Sequence, residues 1–102
     1  MNRQEHLLTC ASEEGIEVAL SLAQRISKGL RFGLDEIQPG QDKTNAERIV
    51  DEFYDLIGVM VMLSEDGHIK LDTDEMVKAA ASKKEKVEKF LLYSLRCGTL
   101  GT

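Results

Sequence analysis

At 102 residues the chain has room for one hydrophobic core, and a core of that size gains stability from a partner subunit. Hydrophobic residues at 42% and charged residues at 30% exclude wholesale disorder, and aromatics at only 5% lean away from an all-β chain. Thirteen basic against eighteen acidic side chains leave a net charge of −5, which argues against a nucleic-acid partner held by phosphate neutralisation. No apolar run reaches the ~20 residues of a membrane span, and the opening Met1-Asn-Arg-Gln-Glu-His6 carries no leader-type apolar segment, so no membrane partner is expected. Cys10 and Cys97 have neither metal spacing nor a disulfide framework, which makes a reducing cytoplasm the expected setting.

A 3.6-residue period predicts three helices and an all-α fold. The first runs from about Arg3 to about Arg31, with Leu7, Ala11, Val18, Leu22 and Ile26 on one face. Phe32 to Lys43, carrying Gly33, Pro39 and Gly40, reads as a loop. Thr44 and Glu47 have capping-box spacing and open a second helix with its stripe at Ile49, Phe53, Leu56, Met60 and Leu63; Asp66-Gly67 closes it. His68 to Leu71 connects to a third helix, from Asp74 to about Arg96, for which Asp72 and Glu75 supply the capping signal. Residues 97–102 have too little side chain to hold themselves and are expected to be loose unless docked, leaving a core over about 5–95 of a single domain spanning 1–102.

The acids carry the chemistry. Glu14 and Glu17 are three apart on the first helix, as are Glu52 and Asp55 on the second, and residues at that spacing share a helix face. The second pair continues into Val59 and Met62, and Glu14 shares a line with Leu7 and Cys10, unlike a plain solvated face. Helices joined by one loop are usually antiparallel neighbours, which can bring the pairs opposite one another. Counted from the loop, the first pair lies farther out than the second by ~10 Å, which the loop has to absorb. Four facing carboxylates repel unless a hard divalent cation with oxygen ligands joins them, Mg²⁺ first; Mg²⁺ in turn shares its shell with phosphates, which points to phosphoryl or pyrophosphoryl chemistry.

The order E-E-x-x-E (Glu13, Glu14, Glu17) then E-x-x-D (Glu52, Asp55) resembles the all-α nucleoside triphosphate pyrophosphohydrolases, the MazG-like and dimeric dUTPase-like proteins. Ser12–Glu17, Lys28–Gly33, Arg48–Leu56 and Lys83–Lys89 look like the short single-domain members, and the likeness covers roughly residues 5 to 95. The resemblance implies Mg²⁺, with Mn²⁺ as a substitute, held by Glu14, Glu17, Glu52 and Asp55. Glu13 would be a further ligand or would orient water, so that Glu13 and Glu14 are the catalytic pair. It also implies hydrolysis of a nucleoside triphosphate at the α–β linkage to NMP and pyrophosphate, for pool control or removal of unwanted nucleotides. Lys83 and Lys86 match the spacing of the family's K-x-x-K-N phosphate contacts, but Val87 stands where the asparagine would be. Arg48, one turn before Glu52, is a further candidate for a phosphate, against pairing with a neighbouring acid. Lys84 lies on the stripe Val77, Ala80, Val87, Leu91 and is expected either to point inward or to be solvated.

Other residues read as structural. Gly67 cannot align as the glycine of an EF-hand loop, because Met62 and Thr73 then occupy ligand positions. His6 and His68 are isolated, Cys10 reads as a small buried hydrophobe and Phe53 as core, and Gly58 invites close approach of another helix. Ile16, Leu20 and Ala23 lie off the first helix's stripe. Together with the thin core this predicts a homodimer or dimer of dimers completing a four-helix bundle, an assembly the resemblance also implies. The alternatives are a non-catalytic nucleotide- or metal-binding regulator and a helical dimerisation adaptor.

Overall fold

The computed structural model describes residues 1–101 and is all-α over them: α1 (Arg3–Phe32), α2 (Asn45–Glu65) and α3 (Thr73–Arg96). The chain divides into two compact units, Met1–Ile69 and the part from Lys70 onward. Within the first, α1 and α2 pack as an antiparallel hairpin.

Local chemistry sets the helix ends. The Asn2 side chain accepts from the Glu5 amide, and the Thr44 hydroxyl and Glu47 carboxylate complete a reciprocal capping box, each satisfying a free amide. α2 stops at Gly67, whose φ of 79° lets the Gly67 and His68 amides turn back onto the carbonyls of Ser64 and Leu63, both at 3.0 Å.

Among the described residues the buried apolar side chains are Leu7 and Val18 of α1 and Leu63 of α2. Ala11, Leu22, Ile49, Leu56 and Met60 are half-buried, as the stripes require. Ile26 (45% exposed) and Phe53 (53%) are not core residues, contrary to their place on the stripes. A 3.6-residue helix rotates a long apolar line away from a straight neighbour, which carries Ile26, the last member of its line, to the surface; Phe53 is exposed although Ile49 and Leu56 on either side of it are half-buried. Cys10 is half-buried, and an added Cβ at Gly58 would meet nothing within 4 Å in the chain itself.

The interhelix loop removes the mismatch between the acid pairs by folding back along the end of α1. Leu34 lies against Gly29, where a Cβ would come within 2.7 Å of Leu34 Cδ2. Lys28 Nζ donates to Gln38 Oε1 at 3.1 Å. Asn45, with no exposed surface, then clasps the loop: its Nδ2 donates to the Gly33 carbonyl (3.0 Å) and Glu36 Oε1 (3.3 Å), and its backbone amide to the Glu36 carbonyl (2.9 Å). α2 therefore begins alongside the body of α1 rather than at its tip.

In the second unit α3 starts at Asp72, which accepts from the Glu75 amide at 3.0 Å. Its polar and apolar residues are exposed except for half-buried Ser94; Lys83, Lys84, Lys86, Val87 and Phe90 all lie at the surface. Where the chain leaves the helix, Gly98 (φ 76°) and Thr99 donate their amides to the carbonyls of Leu95 and Ser94, both at 3.1 Å, extending the cap through Thr99. Thr102 lies outside the described residues.

Candidate functional site

The register of the hairpin is marked at its open end by Arg3, whose Nε donates to Asp66 Oδ2 at 2.5 Å and Nη2 to Oδ1 at 3.4 Å. Counting equal rises inward from that bridge, Glu14 falls level with Asp55, Glu17 with Glu52, Ser21 with Arg48, and Arg25 with Thr44 at the start of α2. The two acid pairs thus occupy the same stretch of the hairpin.

Electrostatics agree with that register. The Glu14 carboxyl, half-buried on the α1 seam, is held above the usual carboxylate range, first by partial loss of solvent and then by the charges of Glu17, Asp55, Glu52 and Glu13. Glu52 is half-buried, and Glu13, Glu17 and Asp55 are exposed. Among the described residues no three His, Cys, Asp or Glu side chains already enclose a metal ion. The donor set nevertheless suits a hard cation: every donor is a carboxylate oxygen, and the half-buried member is destabilised as an anion by partial loss of solvent and then by its neighbours.

The basic residues divide between the units. In the first, Lys43 Nζ is bound to Asp51 Oδ2 at 2.6 Å, Lys28 to Gln38, and the Arg31 guanidinium sits 4.8 Å from the Phe32 ring centroid. Arg25 and Arg48 are half-buried, and Arg25 Nε and Arg48 Nη1 are shielded from solvent with no hydrogen-bond partner; Asn45 Oδ1 shares that condition. In the second unit, Lys83 and Lys86 border shallow hollows of α3, Lys83 with Ala80, Lys84 and Val87, Lys86 with Lys89, Phe90 and Tyr93. Both lysines project from an amphipathic helix surface.

Sequence reasoning missed Asn45 and Arg25. Both lie on continuations of the stripes, Asn45 one turn before Ile49 and Arg25 one turn after Leu22 and two after Val18, so a polar residue on an apolar line was the available signal. Comparison with known proteins finds no family model, no curated protein and no solved structure that matches the chain. The reading of the site therefore rests on its own chemistry.

Proposed function

We propose that the protein is a Mg²⁺-dependent nucleoside triphosphate pyrophosphohydrolase of the MazG-like type, converting NTP and water to NMP and pyrophosphate in the cytoplasmic nucleotide pool. The observation that carries this reading is Glu14: its half-buried carboxyl is raised first by partial loss of solvent and then by four other acids, two of them from the facing helix. Such a concentration of carboxylates at a helix seam lowers stability unless it serves a cation. Glu14, Glu17, Glu52 and Asp55 would hold Mg²⁺, with Mn²⁺ as a substitute. Bound Mg²⁺ neutralises polyphosphate charge and orients a water for attack. Glu13, adjacent to the ligands and exposed, would accept a hydrogen bond from that water and align it. Arg48 would bind phosphate oxygens, and Lys83 and Lys86 keep the spacing of the family's phosphate contacts. The chain offers neither a Gly-rich phosphate loop nor a covalent nucleophile with its base, so electrostatic stabilisation carries the chemistry. The choice of the α–β bond follows from the family resemblance.

The same reading includes a homodimer or dimer of dimers forming a four-helix bundle, supported by Ile16 (60% exposed) and Leu20 (64%) on the outer face of α1. Val87 in place of the family asparagine favours a second reading, a regulator that binds nucleotide or metal without turnover. A panel of NTPs with and without Mg²⁺, its products separated by ion exchange, tests both. NMP with pyrophosphate, abolished in Glu52→Gln at native helicity, is the expected result. NDP with orthophosphate would remove the mechanism, and binding without turnover would establish the regulator.

A further inference from the structure

We infer that Arg25 and Arg48 form a diphosphate oxyanion site on the loop side of the acid cluster, recognising two linked phosphates through donors that the protein itself leaves unpaired. On the reading proposed above it takes the pyrophosphate half of the substrate.

Six cations belong to the first unit, and four of them are otherwise engaged: Arg3 on Asp66, Lys43 on Asp51, Lys28 on Gln38 and Arg31 over Phe32. Arg25 and Arg48 remain. Among the described residues each carries a guanidinium nitrogen withdrawn from solvent without an acceptor, and neither is paired with a carboxylate, although Glu52 stands one turn from Arg48. A shielded donor left unpaired costs stability, the more so on a side chain that cannot shed its charge. An arginine pair retained in that condition on two facing helices is poised for an incoming acceptor.

The register decides which acceptor. Arg48 lies level with Ser21 and Arg25 level with Thr44, so the two are offset by one helical turn, about 6 Å along the hairpin. One orthophosphate is too short to engage both forks fully, whereas two linked phosphates span the offset and offer each guanidinium a pair of oxygens. Glu52 and Glu17 lie one further turn beyond Arg48, so a polyphosphate laid along the seam would have its far end on the arginines and its near end among the carboxylates. Asn45, fully buried three residues before Arg48, holds the first turn of α2 against the loop and so fixes the platform from which Arg48 projects.

Titration calorimetry of inorganic pyrophosphate into the full chain, at low ionic strength with EDTA, reads this site without metal or turnover. Saturable binding is expected, weakened about tenfold or more by Arg25→Gln and by Arg48→Gln, and several-fold tighter than orthophosphate. Glu14→Gln should tighten it, because a repelling charge is removed. Should the glutamine variants lose helicity, Arg25→Lys and Arg48→Lys keep the cation but not the fork, and weaker binding is again expected. Pyrophosphate binding that is absent, unchanged in helical variants of both arginines, or no tighter than orthophosphate overturns the inference. NTP turnover with arginine-independent pyrophosphate binding removes this site and leaves the proposed activity; arginine-dependent binding with no turnover does the reverse.

Discussion

The two ends of the α1–α2 hairpin are held by different physics. At the open end, Leu7 and Leu63 are 5% and 2% exposed, and the Arg3–Asp66 pair lies outside them in solvent. At the loop end the fully buried residue is a polar one, Asn45, which joins the first turn of α2 to Gly33 and Glu36 through hydrogen bonds. Apolar burial is non-directional and tolerates some sliding of one helix on the other, whereas a buried amide with fixed partners specifies one arrangement. The loop end therefore sets how far α2 is drawn back along α1, and with it whether the acid pairs meet. Between the two ends lies the stretch the proposed function uses, where the seam turns ionic.

Cutting each end in turn sharpens the contrast. Leu63→Ala should be the most damaging, about 2–4 kcal/mol in urea unfolding, since little else is buried to collapse around the gap. Asn45→Ala should cost about 1–3 kcal/mol by releasing the loop. It should also lower the Glu14 carboxyl towards its ordinary value, read by carbon-detected NMR titration, because the acid pairs lose their register. A Leu63→Ala variant that shifted Glu14 as far as Asn45→Ala does would erase the distinction between the ends.

Acidity separates the middle of the hairpin from its open end. Glu14 has a raised folded pKa, so through the window above the usual carboxylate value the native state holds more protons than the unfolded one, and stability falls as pH rises. Thermal melts should show that decline in the wild type and a flatter profile in Glu14→Gln. Asp66 acts oppositely: its Arg3 hydrogen bond holds the carboxyl below its ordinary value, so the stability it adds is present above the unfolded value and lost as pH falls through the folded one. The smallest effect should come from Arg3→Ala, a slight loss of melting temperature that disappears in high salt, as befits an exposed pair whose arginine is 67% accessible. A large, salt-resistant loss would mean that the ion pair, not Leu7 and Leu63, closes the open end.

What could be read along the chain was whatever depends on near neighbours. The Thr44–Glu47 capping box, the Asp72 cap and the Gly67 stop are satisfied within one turn of chain, and the spacing of Glu14 with Glu17 and of Glu52 with Asp55 puts each pair on one face of its own helix. Those signals hold in any fold that keeps the helices. Only the tertiary structure decided that Glu14 stands level with Asp55, that Phe53 and Ile26 turn outward, and that Arg25 and Arg48 keep nitrogens away from both water and carboxylate. Each depends on the relative slide and rotation of two helices. That slide is set by the buried amide of Asn45 gripping Gly33, a dozen residues earlier in a loop where no period runs to name the partner.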